Sequence, residues 1–276
     1  MTDLADRFTT EGFCFPLDVL TPDAALALGE ELLRIQAADR PAALGNKGQF
    51  QYPHVISRAA AEVVRHPVLL DAAESILGPD ILVWGSTLFA KAPHSRSYVS
   101  WHQDLHYWGL DGDAEVAAWI ALGPVSEASG CMHFVPGSHL GDAVGHTDTF
   151  AADNALTRGQ EADVDVDPDD TVLVELEPGQ ASLHHGRLLH ASGPNRTDGW
   201  RLGLTVNYIA PHVRQAVAAT DFATLVRGED RFSNFVHVPP PESDLSDEAM
   251  VWHRRILLAQ NDAIYEGLDG TEGEIH

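Results

Sequence analysis

Through most of the first eighty residues apolar side chains recur every three or four positions; beyond them the pattern changes to short apolar runs broken by Gly, Pro, Asp and Ser. Residues 21–39 open with Thr21 and Pro22 and continue DAALALGEELLRIQAA. An N-cap, a first-turn proline and a helical stripe predict an amphipathic helix there. A second helical stretch covers about Ala59–Leu77, interrupted near Pro67. The runs ILVWGSTLF (81–89), VAAWIAL (116–122), CMHFV (131–135), TVLVEL (171–176), QASLHH (180–185) and RLGLTVNYI (201–209) read as strands. Many short strands with no helix of crossover length between them argue against a parallel α/β sheet. They predict a mainly β fold, an antiparallel sandwich or jelly roll with flanking α-helices, whose barrel mouth is the natural site.

Two segments depart from this pattern. From about Thr147 to Asp170 the chain is acidic and poor in large apolar residues, which reads as a long excursion or lid over the sheet. From Ser246 to about Glu266, SDEAMVWHRRILLAQ joins an N-cap and first-turn acids to an apolar stripe, predicting a terminal helix packed on the barrel. With 276 residues and 44% hydrophobic side chains, the chain is expected to form one domain. Its parts are N-terminal helices (1–80), a jelly-roll core (about 81–210) and a C-terminal helical segment (211–276).

Charge narrows the partners. Seventeen basic against 41 acidic side chains give a net charge of -24, which repels nucleic acid and anionic membranes. No stretch approaches the roughly 18 to 20 apolar residues of a membrane span, and MTDLADRFTT lacks the basic and apolar regions of a secretion signal, so a cytoplasmic setting is expected. Two cysteines, Cys14 and Cys131, are too few for a disulfide framework and read as buried thiols. Only Lys47 and Lys91 are lysines, and Lys91 is flanked by apolar residues.

The most informative stretch is Trp101-His102-Gln103-Asp104. In an extended strand the side chains at 102 and 104 share a face, so an imidazole and a carboxylate would meet one metal ion. A facial triad needs a third ligand and leaves its other positions open. His190, after an apolar strand and before the turn Ser192-Gly193-Pro194-Asn195, is the best candidate, with His184, His185, His94 and His139 as rivals. Arg201 opens a core strand, where a guanidinium is costly without a carboxylate to fill its fork.

These blocks, WHQD at 101–104, the run from Trp119 through LGPVSEASGCMHFVPGSH to 139, and HHGRLLHASGPNRTDGWRLGLTVNYI at 184–209, resemble the phytanoyl-CoA dioxygenase-like branch of the Fe(II)/2-oxoglutarate oxygenases. The resemblance implies a double-stranded β-helix, or cupin-like jelly roll, with Fe(II) as metal and 2-oxoglutarate and O2 as co-substrates. It makes His102, Asp104 and His190 the iron ligands, and it gives Arg201 and Ser192 to the C5 carboxylate of 2-oxoglutarate. Lys91 stands where many relatives carry a lysine, within reach of 2-oxoglutarate or an anionic substrate group. Relatives that halogenate replace the motif's carboxylate by a small residue, so Asp104 implies hydroxylation.

Candidate substrate contacts are Trp119 and Asn207, both pocket-facing by their surroundings, together with Tyr107, Trp108, His106 on the same strand parity, and His133. The same oxidising species can instead desaturate, epoxidise or rearrange a substrate. A non-catalytic metal-binding jelly roll and a zinc hydrolase are the readings of other classes. The acidic charge disfavours a CoA thioester or acidic carrier protein and favours a small free molecule.

Overall fold

The computed structural model describes residues 4–38 and 49–265; Lys47, and the expected helix ends at Asp39 and Glu266, lie outside them. Leu4–Glu11 (α1) leads into Phe13–Asp18 (β1) and Pro22–Ala38 (α2). Thr21 caps α2, its Oγ1 accepting from the Ala24 amide at 3.3 Å, while Ala25, Leu28, Leu32 and Ile35 form the buried stripe. After Gln49–Gln51 (β2) come Pro53–Ile56 (α3), Arg58–Val63 (α4) and Pro67–Leu77 (α5). The break expected near Pro67 is present, because the proline ring pushes His66 to an extended φ/ψ of -60°/130° and forces a new helix start.

The remaining elements are Ile81–Lys91 (β3), Val99–His102 (β4), Leu105–Trp108 (α6), Glu115–Ala121 (β5), Met132–Phe134 (β6), His146–Asp148 (β7), Gln160–Ala162 (β8), Val172–Val174 (β9), Gln180–His184 (β10), His190–Ser192 (β11), Arg201–Ile209 (β12), Phe222–Arg227 (β13), Val236–His237 (β14) and Asp247–Tyr265 (α7). One sheet runs β1-β10-β5-β12-β3-β13-β14, with β2 also paired to β3; a smaller sheet runs β4-β11-β6-β9; β7 and β8 form a hairpin. The fold is mostly sheet with flanking helices, as expected.

Alternation along the central strands sorts their side chains. Val116, Ala118 and Ile120 of β5 and Leu202, Leu204, Val206 and Tyr208 of β12 share one core with residues of α2, α4 and α5. Each fully buried Val, Leu or Ile side chain there contributes about 1.5–3 kcal/mol of transfer free energy. The Tyr208 hydroxyl is satisfied by the Val64 carbonyl at 3.0 Å. The opposite parity, including Trp119, Arg201, Thr205 and Asn207, lines a cavity shared with the smaller sheet. Covered on both faces, β5 is buried throughout, which is why it reads as a continuous apolar run.

The expected bounds of the strands are corrected. Strands lie outside 81–210: β1 and β2 precede that range, and β13 and β14 extend the large sheet within the segment expected to be helical, of which α7 alone is a long helix. β1 carries Pro16 inside its run, which is tolerated because β1 is an edge strand. The 147–170 excursion is structured, holding most of the β7–β8 hairpin and bonds such as Ala155 N to the Tyr98 carbonyl at 2.8 Å. Among the described residues no helix is long and apolar enough to cross a membrane.

Candidate metal centre and its cavity

β4 and β11 are antiparallel neighbours, and their register sets His102 directly opposite His190 with ring centroids 4.1 Å apart. Each ring donates from Nδ1 to the carbonyl two residues earlier, His102 to Ser100 and His190 to Leu188, both at 2.9 Å. Since a carbonyl only accepts, both Nε2 atoms keep a lone pair for the cavity. Asp104 arrives differently from the expected strand parity. β4 ends at His102, and Asp104 takes helical φ/ψ (-57°/-48°) at the start of α6, so a turn folds its carboxylate back over the rings. Its Oδ1 lies 3.2 Å from His102 Nε2 and 3.9 Å from His190 Nε2, and one donor atom from each of the three residues falls within 4.8 Å of the others.

Electrostatics suit a divalent cation. Burial, then the His102 ring, lowers His190 well below the usual histidine range, so its lone pair is available. Burial alone would raise the Asp104 carboxyl, but His190, His102 and His184 outweigh it and hold it well below the usual carboxylate range. Two imidazoles and one carboxylate are the donor set of a facial triad. Of the rivals, His184 alone reaches the cavity, its Nε2 3.6 Å from Asp104 Oδ2. His185 faces Glu115 at 3.6 Å, His139 meets the Thr9 carbonyl, and His94 is exposed beside Asp198.

Arg201 opens β12 opposite Lys91 of β3. It is 2% exposed, its guanidinium carbon lies 4.6 Å above the Trp119 ring, and its Nε is buried without a hydrogen-bond partner. Burial lowers it to about 10, still a cation at neutral pH. A buried guanidinium with no carboxylate beside it among the described residues suits an anionic ligand. Lys91 does not line the cavity; its Nζ donates to Ser192 Oγ at 2.7 Å and the Gly193 carbonyl at 2.5 Å. Lys91 therefore holds Ser192, leaving the hydroxyl proton of Ser192 free to point at an acceptor in the cavity. Burial first, and Arg201 second, lowers Lys91 to about 6. Asn195 fastens this corner from behind, donating to the carbonyls of Lys91, Ala92 and Gly199.

The cavity, about 370 Å³, is within the range of small-molecule sites. Trp119, Asn207, His106, Tyr107 and Trp108 line it as expected. His133 does not: Met132 and Phe134 of β6 are buried, so the intervening His133 projects to the other side, edge-on to Trp101 at 6.5 Å. His106 lies on α6 rather than a strand and stacks on His146 at 4.1 Å. The excursion supplies Leu156, Thr157, Arg158 and Gln160 to the wall, and Arg158 Nε pairs with Asp148 at 2.8 Å.

Residues 8–203 match the family described as Phytanoyl-CoA dioxygenase (PhyH). The chain belongs to that family. Iron, 2-oxoglutarate and O2 are the metal and co-substrates typical of phytanoyl-CoA dioxygenase family enzymes, and the donor set and the buried Arg201 fit them. A probable alpha-ketoglutarate-dependent hypophosphite dioxygenase of Stutzerimonas stutzeri is 32% identical over 164 residues, 59% of this chain and 57% of that protein. The human peroxisomal phytanoyl-CoA dioxygenase is 30% identical over 51% of this chain and 43% of its own length. The chain spans about half the length of the curated relatives it matches. Among solved structures, the apo form of the non-heme monooxygenase ThoJ is 38% identical, covers 95% of this chain and 97% of its own, and superposes with a TM-score of 0.85.

In this member of the phytanoyl-CoA dioxygenase family, several residues that hold the site were not expected from sequence. Gln103, between two of the candidate ligands, donates from Nε2 to the Arg187 carbonyl (2.7 Å), accepts at Oε1 from Val144 N (3.2 Å), and donates its main-chain N–H to His146 Nε2 (3.1 Å). Glu115, fully buried, accepts from Gly186 N, and Gly186 O accepts from Leu105 N, the residue after Asp104. Gly203 matters for what it lacks: a Cβ there would fall 1.7 Å from the Trp119 ring. The one sequence signal for these was a polar or glycine residue in an otherwise apolar or motif-rich stretch.

Proposed function

We propose that this chain is an Fe(II)- and 2-oxoglutarate-dependent hydroxylase of a small metabolite or biosynthetic intermediate. His102, Asp104 and His190 would hold the iron. Arg201 and the hydroxyl of Ser192 would bind the distal carboxylate of 2-oxoglutarate, and Lys91 would hold Ser192 in place. The observation that carries the reading is the meeting, in one cavity, of three convergent donor atoms and a buried guanidinium without a protein counter-charge. Iron with 2-oxoglutarate and O2 supplies the oxidising power, consuming the keto acid to succinate and CO2 while the substrate gains a hydroxyl. The two sheets are read as a jelly roll in which the described residues act as one oxygenase domain.

The protein's share of the work is positional. The Ser100 and Leu188 carbonyls fix the two imidazoles in the tautomer a metal needs. Trp119 supports Arg201 from below, and α6 with the 156–160 segment lines the substrate side, which limits competing water. Asp104 retains its carboxylate, which favours hydroxylation over halogenation, and the net charge of -24 disfavours a CoA thioester or an acidic carrier protein. Trp119, Asn207, Tyr107 and His106 are the proposed substrate-side residues.

The test is anaerobic reconstitution with Fe(II) and 2-oxoglutarate, followed by admission of oxygen. A weak visible charge-transfer band, then succinate, is the expected result. Neither band nor succinate would return the site to a metal-binding or zinc-hydrolase role.

A further inference from the structure

Across the face of the large sheet that looks into the cavity, four positions stand in one row. Gly85 of β3 is opposite Asn207 of β12, Asn207 is opposite Ala117 of β5, and Ala117 is opposite His184 of β10. Side chains directly opposite in an antiparallel pair share a face. Asn207 is thus flanked on one side by no side chain and on the other by a single methyl group. It is the one carboxamide in a row otherwise cut low until His184.

That carboxamide has no partner. Asn207 Oδ1 is buried and unbonded, and Nδ2 makes no hydrogen bond among the described residues. A buried amide oxygen left unpaired costs about 1–3 kcal/mol, a penalty that a ligand removes by pairing with it. Gly85, Asn207 and His184 line the cavity, whereas Ala117 is fully buried and does not; His184 Nε2 lies 3.6 Å from Asp104 Oδ2. With strands about 4.8 Å apart, Asn207 and His184 stand roughly 10 Å apart across Ala117. A group lying there touches the carboxamide while its neighbours adjoin the metal centre.

The wall around it is aromatic and uncharged. A Cβ on Gly85 would lie 3.5 Å from Tyr52 Cε1 and 3.7 Å from Asn207 Nδ2, which places the Tyr52 ring beside the carboxamide. Trp84, next in the chain, packs its ring 5.1 Å from Trp108, and all three aromatics line the cavity. Among the described residues the formally charged side chains of the lining are Asp104, Arg158 and Arg201. Asp104 faces the metal position, Arg201 is assigned to 2-oxoglutarate, and Arg158 is paired with Asp148. None of the described charged side chains of the lining is left to neutralise a charged substrate.

We propose that the niche at Gly85 and Asn207 is a substrate subsite that binds an uncharged amide edge, a carboxamide, lactam or imide, with Asn207 supplying the matching donor and acceptor. The attached ring packs against Tyr52 and Trp84. This rests on the oxygenase reading of the same cavity and adds the chemical class of its substrate.

The test uses the protein loaded anaerobically with Fe(II) and 2-oxoglutarate and three probes of one shape: benzamide, benzoate and benzamidine, which are neutral, anionic and cationic. Binding is read as iron-enhanced relaxation of the probe's ring protons by NMR. Benzamide should bind at least about tenfold more tightly than either ion, and Asn207→Leu should remove about that factor. Asn207→Asp should turn the preference towards benzamidine, and Gly85→Leu, which extends a side chain into the niche, should exclude all three probes. Preference for an ion, or benzamide binding that Asn207→Leu and Asn207→Asp leave unchanged, overturns the subsite, as does no binding at all while the charge-transfer band is intact. Absence of that band in the unaltered protein would instead strike the oxygenase reading.

Discussion

Gly203→Ala adds one methyl group at a position whose backbone any residue can adopt, and it should cripple the proposed 2-oxoglutarate site from below. The new Cβ would fall 1.7, 2.2 and 2.4 Å from three ring atoms of Trp119, where ordinary contact begins at 3.4 Å. The indole must therefore retreat by about 1.7 Å. It cannot do so freely, because it packs in a core with Cys131, Met132 and Leu176. Overpacking of this kind costs typically 1–3 kcal/mol, which for a chain of this size is a fall in Tm on the order of 5 °C. The indole also supports the guanidinium of Arg201 at 4.6 Å, so that cation must move with it. Loss of a hydrogen bond to a charged group costs about 1.5–3 kcal/mol, so the dissociation constant for 2-oxoglutarate should rise by about 10- to 100-fold. Anaerobic titration of the Fe(II) protein, following the charge-transfer band, measures the constant, and calorimetry gives Tm. Trp119→Phe in the Gly203→Ala background, with its smaller ring, should recover part of the lost stability. Unaltered affinity and Tm in Gly203→Ala would refute the argument that Trp119 fixes Arg201.

Other perturbations separate the remaining parts. Arg201→Ala should weaken 2-oxoglutarate by about 100-fold or more without lowering the Tm of the ligand-free protein, since it removes a buried charge that no protein carboxylate compensates; unchanged affinity would end its assignment. His190→Ala and Asp104→Ala should each abolish stoichiometric Fe(II) binding by calorimetry, and full retention in either would remove that residue from the ligand set. His54, buried and 2.6 Å from Ser86 Oγ, is lowered to about 3 by burial, Arg65 and His253. The unfolded chain takes up its proton near 6.5 while the native state does not, so stability present above 6.5 is lost as pH falls towards 3, at up to about 1.4 kcal/mol per pH unit. His54→Asn should flatten that slope in urea unfolding at pH 7 and pH 5; parallel profiles would contradict it. Burial raises Cys14 and Cys131 to about 11, so neither should react with a disulfide reagent at pH 8 until the protein is unfolded, and prompt labelling of the native protein would count against their burial.

What could be read from sequence followed the rarity of the residues and the regularity of the pattern. The triad was legible because a His-x-Asp pair, a distant His-x-Ser and an arginine on a core strand seldom coincide. The reason given for the pair was nevertheless wrong, since a turn rather than strand parity brings Asp104 to His102. Trp119 and Asn207 were legible because β5 and β12 alternate cleanly between helix-facing and cavity-facing positions. His133 was not: CMHFV has apolar residues at both parities, so nothing in it says which face is buried. β13 escaped because FATLVR is short and bounded by polar stretches, and β1 because Pro16 interrupts it. Gln103 and Asn195 are common polar residues whose partners lie up to 104 positions away, and only the folded chain brings them together.

Gln103 carries one more consequence. It is held on three sides, by Arg187, Val144 and His146, and stands between two side chains assigned to the metal. The stretch leading into the β7–β8 hairpin and the turn that carries Asp104 are thus fastened to the same amide. A sequence change at Val144 or His146, outside the cavity lining, therefore reaches the turn that carries Asp104 through one side chain. Its effect should be measured in how tightly the protein keeps its iron, before any change in what the cavity admits.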